Sequence, residues 1–265
     1  MNQERNKPAK RIAIAIELHA TLPWHYQCYE GALQYGKEHG WECVLDPYLF
    51  GISGDPDKPS YDGVVGRIDA ETVNTIEHAG LNVVSLNSNE ANKHLPSLRI
   101  DSQAGAKLAA EHLIAAGYKR FGYIGMPSKY PALAKRHLSG MNEVLTAQGF
   151  EPVIATEIFG DFEEGRQYIA EAREALTQWV TDMGKPVGVL VHQTLMSRYL
   201  AQVCTELGQR VPEDMGIVMH DGEELAATSA TPTLSAIEYD FYQQGYDGAA
   251  MLDELMAGKS IDPIH

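Results

Sequence analysis

Residues 99–125 read RIDSQAGAKLAAEHLIAAGYKRFGYIG, and this stretch contains the pattern that decides the fold. A helix is predicted over 102–116, with Asp101 as its N-terminal cap and Gly117 at the left-handed position after its last turn. The apolar run over 120–126 then predicts a buried strand. A helix that ends in glycine and leads directly into an apolar strand is typical of a parallel α/β sheet.

The same unit recurs along the chain, because short apolar runs alternate with longer amphipathic segments. The predicted strands are 11–18, 61–68, 82–87, 120–126, 186–192 and 215–220. The predicted helices are 24–39, 70–79, 102–116, 132–148, 162–181, 195–207 and 241–256. Glycine follows five of these helices, at Gly40, Gly80, Gly117, Gly149 and Gly208. These units are more numerous than one small sheet usually holds, so two α/β lobes are predicted.

Composition and charge exclude several classes of protein. The 265 residues are 44% hydrophobic, which is enough to bury a substantial core. A net charge of -15 leaves few cations to neutralise phosphates, so this chain by itself is not expected to bind DNA. Its three cysteines have no paired spacing, which suits a reducing cytoplasm. The sequence shows neither the apolar run of a signal peptide nor a membrane span, so a cytoplasmic protein without membrane contact is expected.

Polar side chains follow the predicted strands directly. In VPEDMGIVMHDGEEL (211–225), the apolar run breaks without a spacer into His220 and Asp221. Ligands of open parallel sheets bind outside the carboxyl ends of the strands, so these side chains are expected to line a cleft. Further candidates at strand ends, with two aromatic rings as flat faces, are Glu17, His19, Trp24, Tyr130, His192, Gln193 and Thr194. Carboxylate and amide groups beside aromatic rings favour a small neutral polyol as ligand.

Simpler roles remain open for the same residues. Asp221 serves equally well as the cap of a short helix suggested by GEEL, and histidines are often partly buried without any site. The adjacent residues 220–224 cannot all face one metal ion, so no metal and no cofactor are predicted. No glycine-rich phosphate loop, nucleophile elbow or HExxH motif is present, so no enzymatic activity is predicted.

Two long segments resemble a known family. Residues 99–125 are similar to the part of lac and gal repressor-type sugar sensors that has Val-Asp-Asn, a helix ending in His-Leu, and Gly-His-Arg-Arg before a strand. Residues 208–256 resemble their Gly-x-x-Val-Pro-x-Asp strand with its terminal Asp, followed by Pro-x-Leu-(Ser/Thr) and a long helix. LAQVCTELGQRVPEDMGIVMHDGEEL (200–225) is closer still to the xylose operon regulator branch. The resemblance covers most of 11–256.

The resemblance implies a periplasmic-binding-protein-like α/β fold, with two Rossmann-like parallel-sheet lobes and a ligand cleft between them. The N-terminal lobe is expected to comprise 11–125 with 235–257. The C-terminal lobe is expected to comprise 126–234 with 258–265, its last strand cut short. In the xylose-regulator branch the DNA-binding domain follows the sensor, so that domain is expected to lie outside this chain.

The resemblance also implies a function and places residues in it. The chain is expected to bind a monosaccharide, xylose or a similar pentose, and to control operator binding as a homodimer. Asp221 matches the family aspartate that receives sugar hydroxyl groups. His137 stands where the family has a sugar-binding arginine, and Thr194 where it has a ligand-binding aspartate, for which His192 or Gln193 would compensate.

Three alternatives share parts of this pattern. A solute-binding protein of a sugar transporter has the same fold. A sugar-modifying enzyme would turn its ligand over. A dimerisation module that has lost its sugar would show no ligand response, and the departures at His137 and Thr194 keep this alternative open.

Overall fold

The computed structural model describes residues 9–18, 23–52, 61–87, 92–125, 131–157, 166–222 and 224–261. The described chain divides into two compact units. The first unit is formed by the described residues up to Ile100 together with those from Asp240 onward, and the second by those within Asp101–Tyr239.

Strands and helices alternate along the described chain, as the sequence pattern predicts. No helix within the described ranges has the length and apolar character needed to cross a membrane. The strands are β1 (Arg11–Ala15), β2 (Glu42–Leu45), β3 (Gly63–Gly66), β4 (Asn82–Ser85), β5 (Phe121–Gly125), β6 (Ile154–Glu157), β7 (Val187–Val191), β8 (Met215–Met219) and β9 (Ser235–Ala236). The helices are α1 (Pro23–Glu38), α2 (Ala70–Ala79), α3 (Ser102–Ala115), α4 (Pro131–Ala147), α5 (Arg166–Met183), α6 (Thr194–Glu206), α7 (Glu224–Thr228) and α8 (Phe241–Met256).

Each unit contains one parallel sheet. The strand order is β2-β1-β3-β4 in the first unit and β6-β5-β7-β8-β9 in the second. All strand pairs run parallel, so the carboxyl ends of neighbouring strands lie along the same edge of each sheet. In the second unit, Val191 at the end of β7 pairs with Met219 at the end of β8. The residues that follow these two strands therefore leave the sheet side by side.

The sheet of the second unit is covered on both faces. Alternate residues of a strand point to opposite faces, and β7 illustrates this rule. Val187, Val189 and Val191 pack in one apolar cluster with side chains of α5 and α6, whereas Leu190 packs in another with side chains of α3 and α4. Both faces of β7 are thus buried, which explains its unbroken apolar sequence.

The predicted strands and helices are all present, with boundaries that shift by a few residues. The five predicted cap glycines have φ angles between 63° and 96°, so the left-handed conformation expected there is confirmed. Three strands were missed: β2, β6 and β9. These are short strands, and those with described side chains are half-buried or exposed, so they lack the apolar run that marks the other strands.

The predicted boundary between the lobes is wrong. The sequence assigned 11–125 and 235–257 to one lobe, but β5 pairs with β6 and β7, and α3 packs on α4. Residues 101–125 therefore belong to the second unit, as do 235–239. The described residues 258–261, assigned to the C-terminal lobe, belong to the first unit instead. Sheet membership is decided by pairing between distant segments, which local patterns do not reveal.

Helices α1 and α8 cross at two glycines. A Cβ atom at Gly31 would lie 1.9 Å from the carbonyl oxygen of Tyr242, and one at Gly245 would lie 1.9 Å from the carbonyl oxygen of Cys28. Backbone occupies the space that a side chain would need, and backbone cannot move aside as a flexible side chain can. This close approach holds the last described helix against the first.

Gly245→Ala is expected to lower the free energy of unfolding by about 1–3 kcal/mol, because the added methyl group overpacks the crossing. Chemical denaturation measures this change. The matched control is Asp247→Ala on the exposed side of the same helix, which should stay within about 0.5 kcal/mol of the original protein. Equal effects of the two substitutions would show that the α1–α8 contact is not tightly packed.

Candidate functional site

Three histidines meet near the carboxyl edge of the second sheet. His192 follows β7, His220 follows β8, and His137 lies on α4, the helix after β5. The ring centroids of His137 and His220 are 3.7 Å apart, and His192 lies 5.4 Å and 6.1 Å from them. The exposed fractions of His137, His192 and His220 are 0%, 9% and 2%. These three residues are called the histidine cluster below.

Strand register brings two members of the histidine cluster together. Because Val191 pairs with Met219, the next residue of each strand leaves the sheet at the same level. The backbone amide of His220 donates a hydrogen bond of 2.9 Å to the carbonyl oxygen of Val191, which continues the pairing by one residue. The third member, His137, lies on α4, which packs against α3.

Two tyrosines and a backbone carbonyl hold the rings in place. The hydroxyl group of Tyr123 lies 2.9 Å from Nδ1 of His137, and that of Tyr239 lies 2.8 Å from Nε2 of His220. The carbonyl oxygen of Ser102 is also 3.4 Å from Nε2 of His220. The second nitrogens of these two rings, Nε2 of His137 and Nδ1 of His220, are buried and have no hydrogen-bond partner among the described residues.

The histidine cluster is uncharged at neutral pH. Burial lowers the pKa of His192 to about 4, and burial together with nearby His192 lowers the pKa of His220 to about 3. The pKa of His137 is also lowered, by burial and then by the neighbouring His220 and His192. Each neutral ring therefore carries one N–H group and one nitrogen whose lone pair can accept a hydrogen bond or bind a metal ion. The Ser102 carbonyl can only accept, which favours the tautomer of His220 with its proton on Nε2.

Asp221 directly follows His220 in the chain and is half-buried. The hydroxyl group of Thr194 is 3.4 Å from its carboxylate Oδ1 and 3.3 Å from its backbone carbonyl oxygen. Burial raises the pKa of Asp221 to about 7. Helix α7 begins at Glu224, so the position directly before it is 223 and Asp221 does not occupy the N-cap position considered from the sequence.

The second unit brings together several of the predicted ligand residues. Thr194 contacts Asp221, and Gln193 precedes Thr194 at the start of α6. His137 and His192 lie in the histidine cluster, but His137 is fully buried and bonded to Tyr123, so it has no surface to offer to a sugar in this conformation. The sugar contact that the resemblance implies for His137 remains a prediction.

The remaining predicted residues belong to the first unit or lie outside the described residues. Glu17 follows β1, and Trp24 lies in the first turn of α1. The guanidinium carbon of Arg67 lies 4.5 Å from the centroid of the Trp24 ring, so a cation covers one face of the predicted aromatic platform. His19 and Tyr130 lie outside the described residues, and the sequence predictions for them remain predictions.

Sequence reasoning missed Tyr123 and Tyr239. Tyr123 lies inside β5, and its sequence neighbourhood is that of an ordinary buried strand without any mark of a hydrogen-bonding role. Tyr239 follows β9, a strand of two residues without a recognisable pattern. The available signal was that histidine directly follows two neighbouring buried strands, which the parallel topology places side by side.

Gly105 on α3 makes room for Tyr239, because a Cβ atom there would lie 1.9 Å from the tyrosine hydroxyl oxygen. Gly105→Ala is expected to lower the free energy of unfolding by about 1–3 kcal/mol. Combined with Tyr239→Phe, which removes the clashing oxygen, it should cost less than the sum of the two single changes. A double-mutant cycle in chemical denaturation measures this coupling. The control is Leu108→Ala at an exposed position of the same helix, whose effect on the free energy of unfolding should add to that of Tyr239→Phe. Additive effects of Gly105→Ala and Tyr239→Phe would contradict the contact.

Comparisons with known proteins agree with this architecture. A family model described as periplasmic binding protein-like domain matches residues 110–265. The chain is 22% identical over 258 residues to the xylose operon regulatory protein of Haemophilus influenzae, covering 94% of this chain and 65% of that protein. It is 24% identical over 204 residues to catabolite control protein A of Priestia megaterium, covering 76% of this chain and 60% of that protein. The chain thus spans less than two thirds of the length of these relatives.

Solved structures show the same fold. The structure of the xylose-binding transcription activator xylR matches with a TM-score of 0.78 at 20% identity, over 97% of this chain and 66% of that chain. The complex of the transcriptional regulator CelR with cellobiose matches with a TM-score of 0.73 at 22% identity, over 97% of this chain and 82% of that chain. At these identities the likeness establishes the fold and leaves the ligand to be argued from the site.

Proposed function

We propose that this chain, which belongs to the family of periplasmic binding protein-like domains, is an effector domain of the lac-repressor type and binds a monosaccharide. Sugar binding would control DNA binding by a domain outside this chain. The observation that carries the proposal is the position of Asp221, a half-buried carboxyl group at the carboxyl end of β8. This end of a parallel strand is where ligands of such sheets bind.

The surroundings of Asp221 suit a ligand rich in hydroxyl groups. A carboxylate accepts several hydrogen bonds, and the Thr194 side chain is the side-chain donor seen at this carboxylate among the described residues. The pKa of Asp221 is raised to about 7 because its hydrogen bonds do not offset the effect of burial. Sugar hydroxyl groups are donors that would satisfy the carboxylate oxygens. Gln193 and Thr194 add neutral hydrogen-bonding groups at the neighbouring strand end.

The names of two relatives support the proposal of a particular sugar. One relative is named a xylose operon regulator, and one similar structure is titled a xylose-binding transcription activator. We therefore propose xylose or a similar pentose as the effector. We further propose that the protein acts without turnover of its ligand, as a homodimer in the cytoplasm, and that it contacts the operator through another domain.

The sugar proposal is tested by a thermal-shift screen of chelator-treated protein against D-xylose, other pentoses, hexoses and sugar phosphates. At a sugar concentration 100 times Kd, binding is expected to stabilise the protein by about 2.7 kcal/mol. For a chain of this size, that corresponds to a rise in Tm of roughly 2–4 °C per kcal/mol. Flat curves with every neutral sugar, or a response to phosphates alone, would overturn the proposal.

Asp221→Ala is expected to weaken sugar binding by about 1.5–3 kcal/mol for each hydrogen bond to the carboxylate that is lost. Calorimetry measures the affinity of the folded variant. The matched control is Asp182→Ala, which removes the same charge from an exposed position near the end of α5. Unchanged affinity in the Asp221 variant would remove this residue from the site. Appearance of a product from the bound sugar would instead reveal an enzyme.

A further inference from the structure

We propose that the histidine cluster of His137, His192 and His220 binds one divalent transition-metal ion of the Zn²⁺ class. One ring nitrogen of each residue lies within 4.8 Å of one from each of the others. Imidazole nitrogens bind Zn²⁺ at about 2.0–2.1 Å, which places tetrahedral ligands roughly 3.3 Å apart. A shift of less than about 1 Å per ring closes the difference, and small rotations about the side-chain bonds supply it.

The hydrogen bonds to His137 and His220 determine which nitrogen of each ring remains for an ion. Tyr123 holds Nδ1 of His137, while Tyr239 and the Ser102 carbonyl hold Nε2 of His220. Metal-binding histidines characteristically donate their second N–H group to an oxygen, which fixes the tautomer and the direction of the ring. His137 and His220 both have such an oxygen beside one ring nitrogen. The other nitrogen of each ring, Nε2 of His137 and Nδ1 of His220, is left to bind the ion.

Those two nitrogens fit a metal ion better than they fit other occupants. They are buried, and their residues are 0% and 2% exposed, so a sugar at the surface does not reach them. A proton is disfavoured because three close imidazoles would share a positive charge away from water. Neutral imidazoles present the lone pairs that a metal requires. Nitrogen ligands favour Zn²⁺, Cu²⁺ or Ni²⁺ over Mg²⁺ and Ca²⁺, which prefer oxygen.

The rings of the histidine cluster are separate from the carboxylate of Asp221, where sugar binding is proposed. Asp221 is half-buried and its carboxylate belongs to the residue after His220, whereas the rings of His137 and His220 lie deeper. Three histidines leave one coordination position for water or another oxygen ligand, as in open zinc sites. The metal site rests on the geometry of the second unit alone, so it does not depend on the sugar proposal.

The test is a calorimetric titration of chelator-treated protein with Zn²⁺ alone. Metal analysis after dialysis gives the amount of Zn²⁺ that stays bound. We expect one equivalent to bind the original protein. Tyr123→Phe, which removes a hydrogen bond behind His137, should weaken Zn²⁺ binding by about 10- to 100-fold. His192→Ala should weaken it further, since it removes a ligand. The matched control, His78→Ala, removes an exposed histidine of the first unit and should leave binding unchanged.

A measurement on the unsubstituted protein keeps the test decisive if a variant fails to fold. X-ray absorption of the Zn²⁺ complex, or the visible spectrum of the Co²⁺ complex, should show a four-coordinate ion with imidazole ligands. No stoichiometric Zn²⁺ binding, binding unaffected by both Tyr123→Phe and His192→Ala, or a spectrum without imidazole ligands would overturn the metal site. Sugar titration of the chelator-treated protein is a separate readout, so failure of either proposal is recognised independently.

Discussion

The register of β7 against β8 is the constraint on which the site depends. Val191 pairs with Met219, and the amide of His220 extends the pairing to the carbonyl of Val191. Both strands are buried along their whole length, so the first positions where a polar side chain is tolerated come directly after them. A slip of one residue in this pairing would turn every side chain of one strand to the opposite face. The apolar core therefore fixes where His192 and His220 emerge.

How far the fold was predictable depends on burial. The strands buried on both faces have continuous apolar sequences, and the helices before Gly80 and Gly117 end where those glycines predict. The edge strands β2 and β6 are stabilised by pairing with a neighbour rather than by a pattern of their own, so the sequence does not announce them. The same reason explains the misplaced lobe boundary, since the partners of β5 are determined by contacts between distant segments.

The candidate site was predictable where it follows from strand ends and not where it follows from helix packing. His220, Asp221 and Thr194 lie at or just after the ends of predicted strands, and parallel topology alone places them at one edge. His137 reaches the same place from α4, and the direction of its ring depends on how that helix packs against α3. Tyr123 completes the arrangement from within a strand, where its hydroxyl has no local sequence signal.

Two neighbouring groups at this edge disfavour their charged forms for the same physical reason. Burial raises the pKa of Asp221 and lowers the pKa of His220, so both are driven toward neutrality although the whole chain carries a net charge of -15. The two groups need different partners. The carboxyl oxygens of Asp221 can accept more hydrogen bonds than the one from Thr194, whereas the lone pair of a neutral imidazole nitrogen needs a hydrogen-bond donor or a metal ion. Donors that approach from the surface match the half-buried Asp221. A metal cation suits the more deeply buried nitrogens of His137 and His220. The end of β8 therefore combines a carboxyl group near the surface with imidazole nitrogens below it.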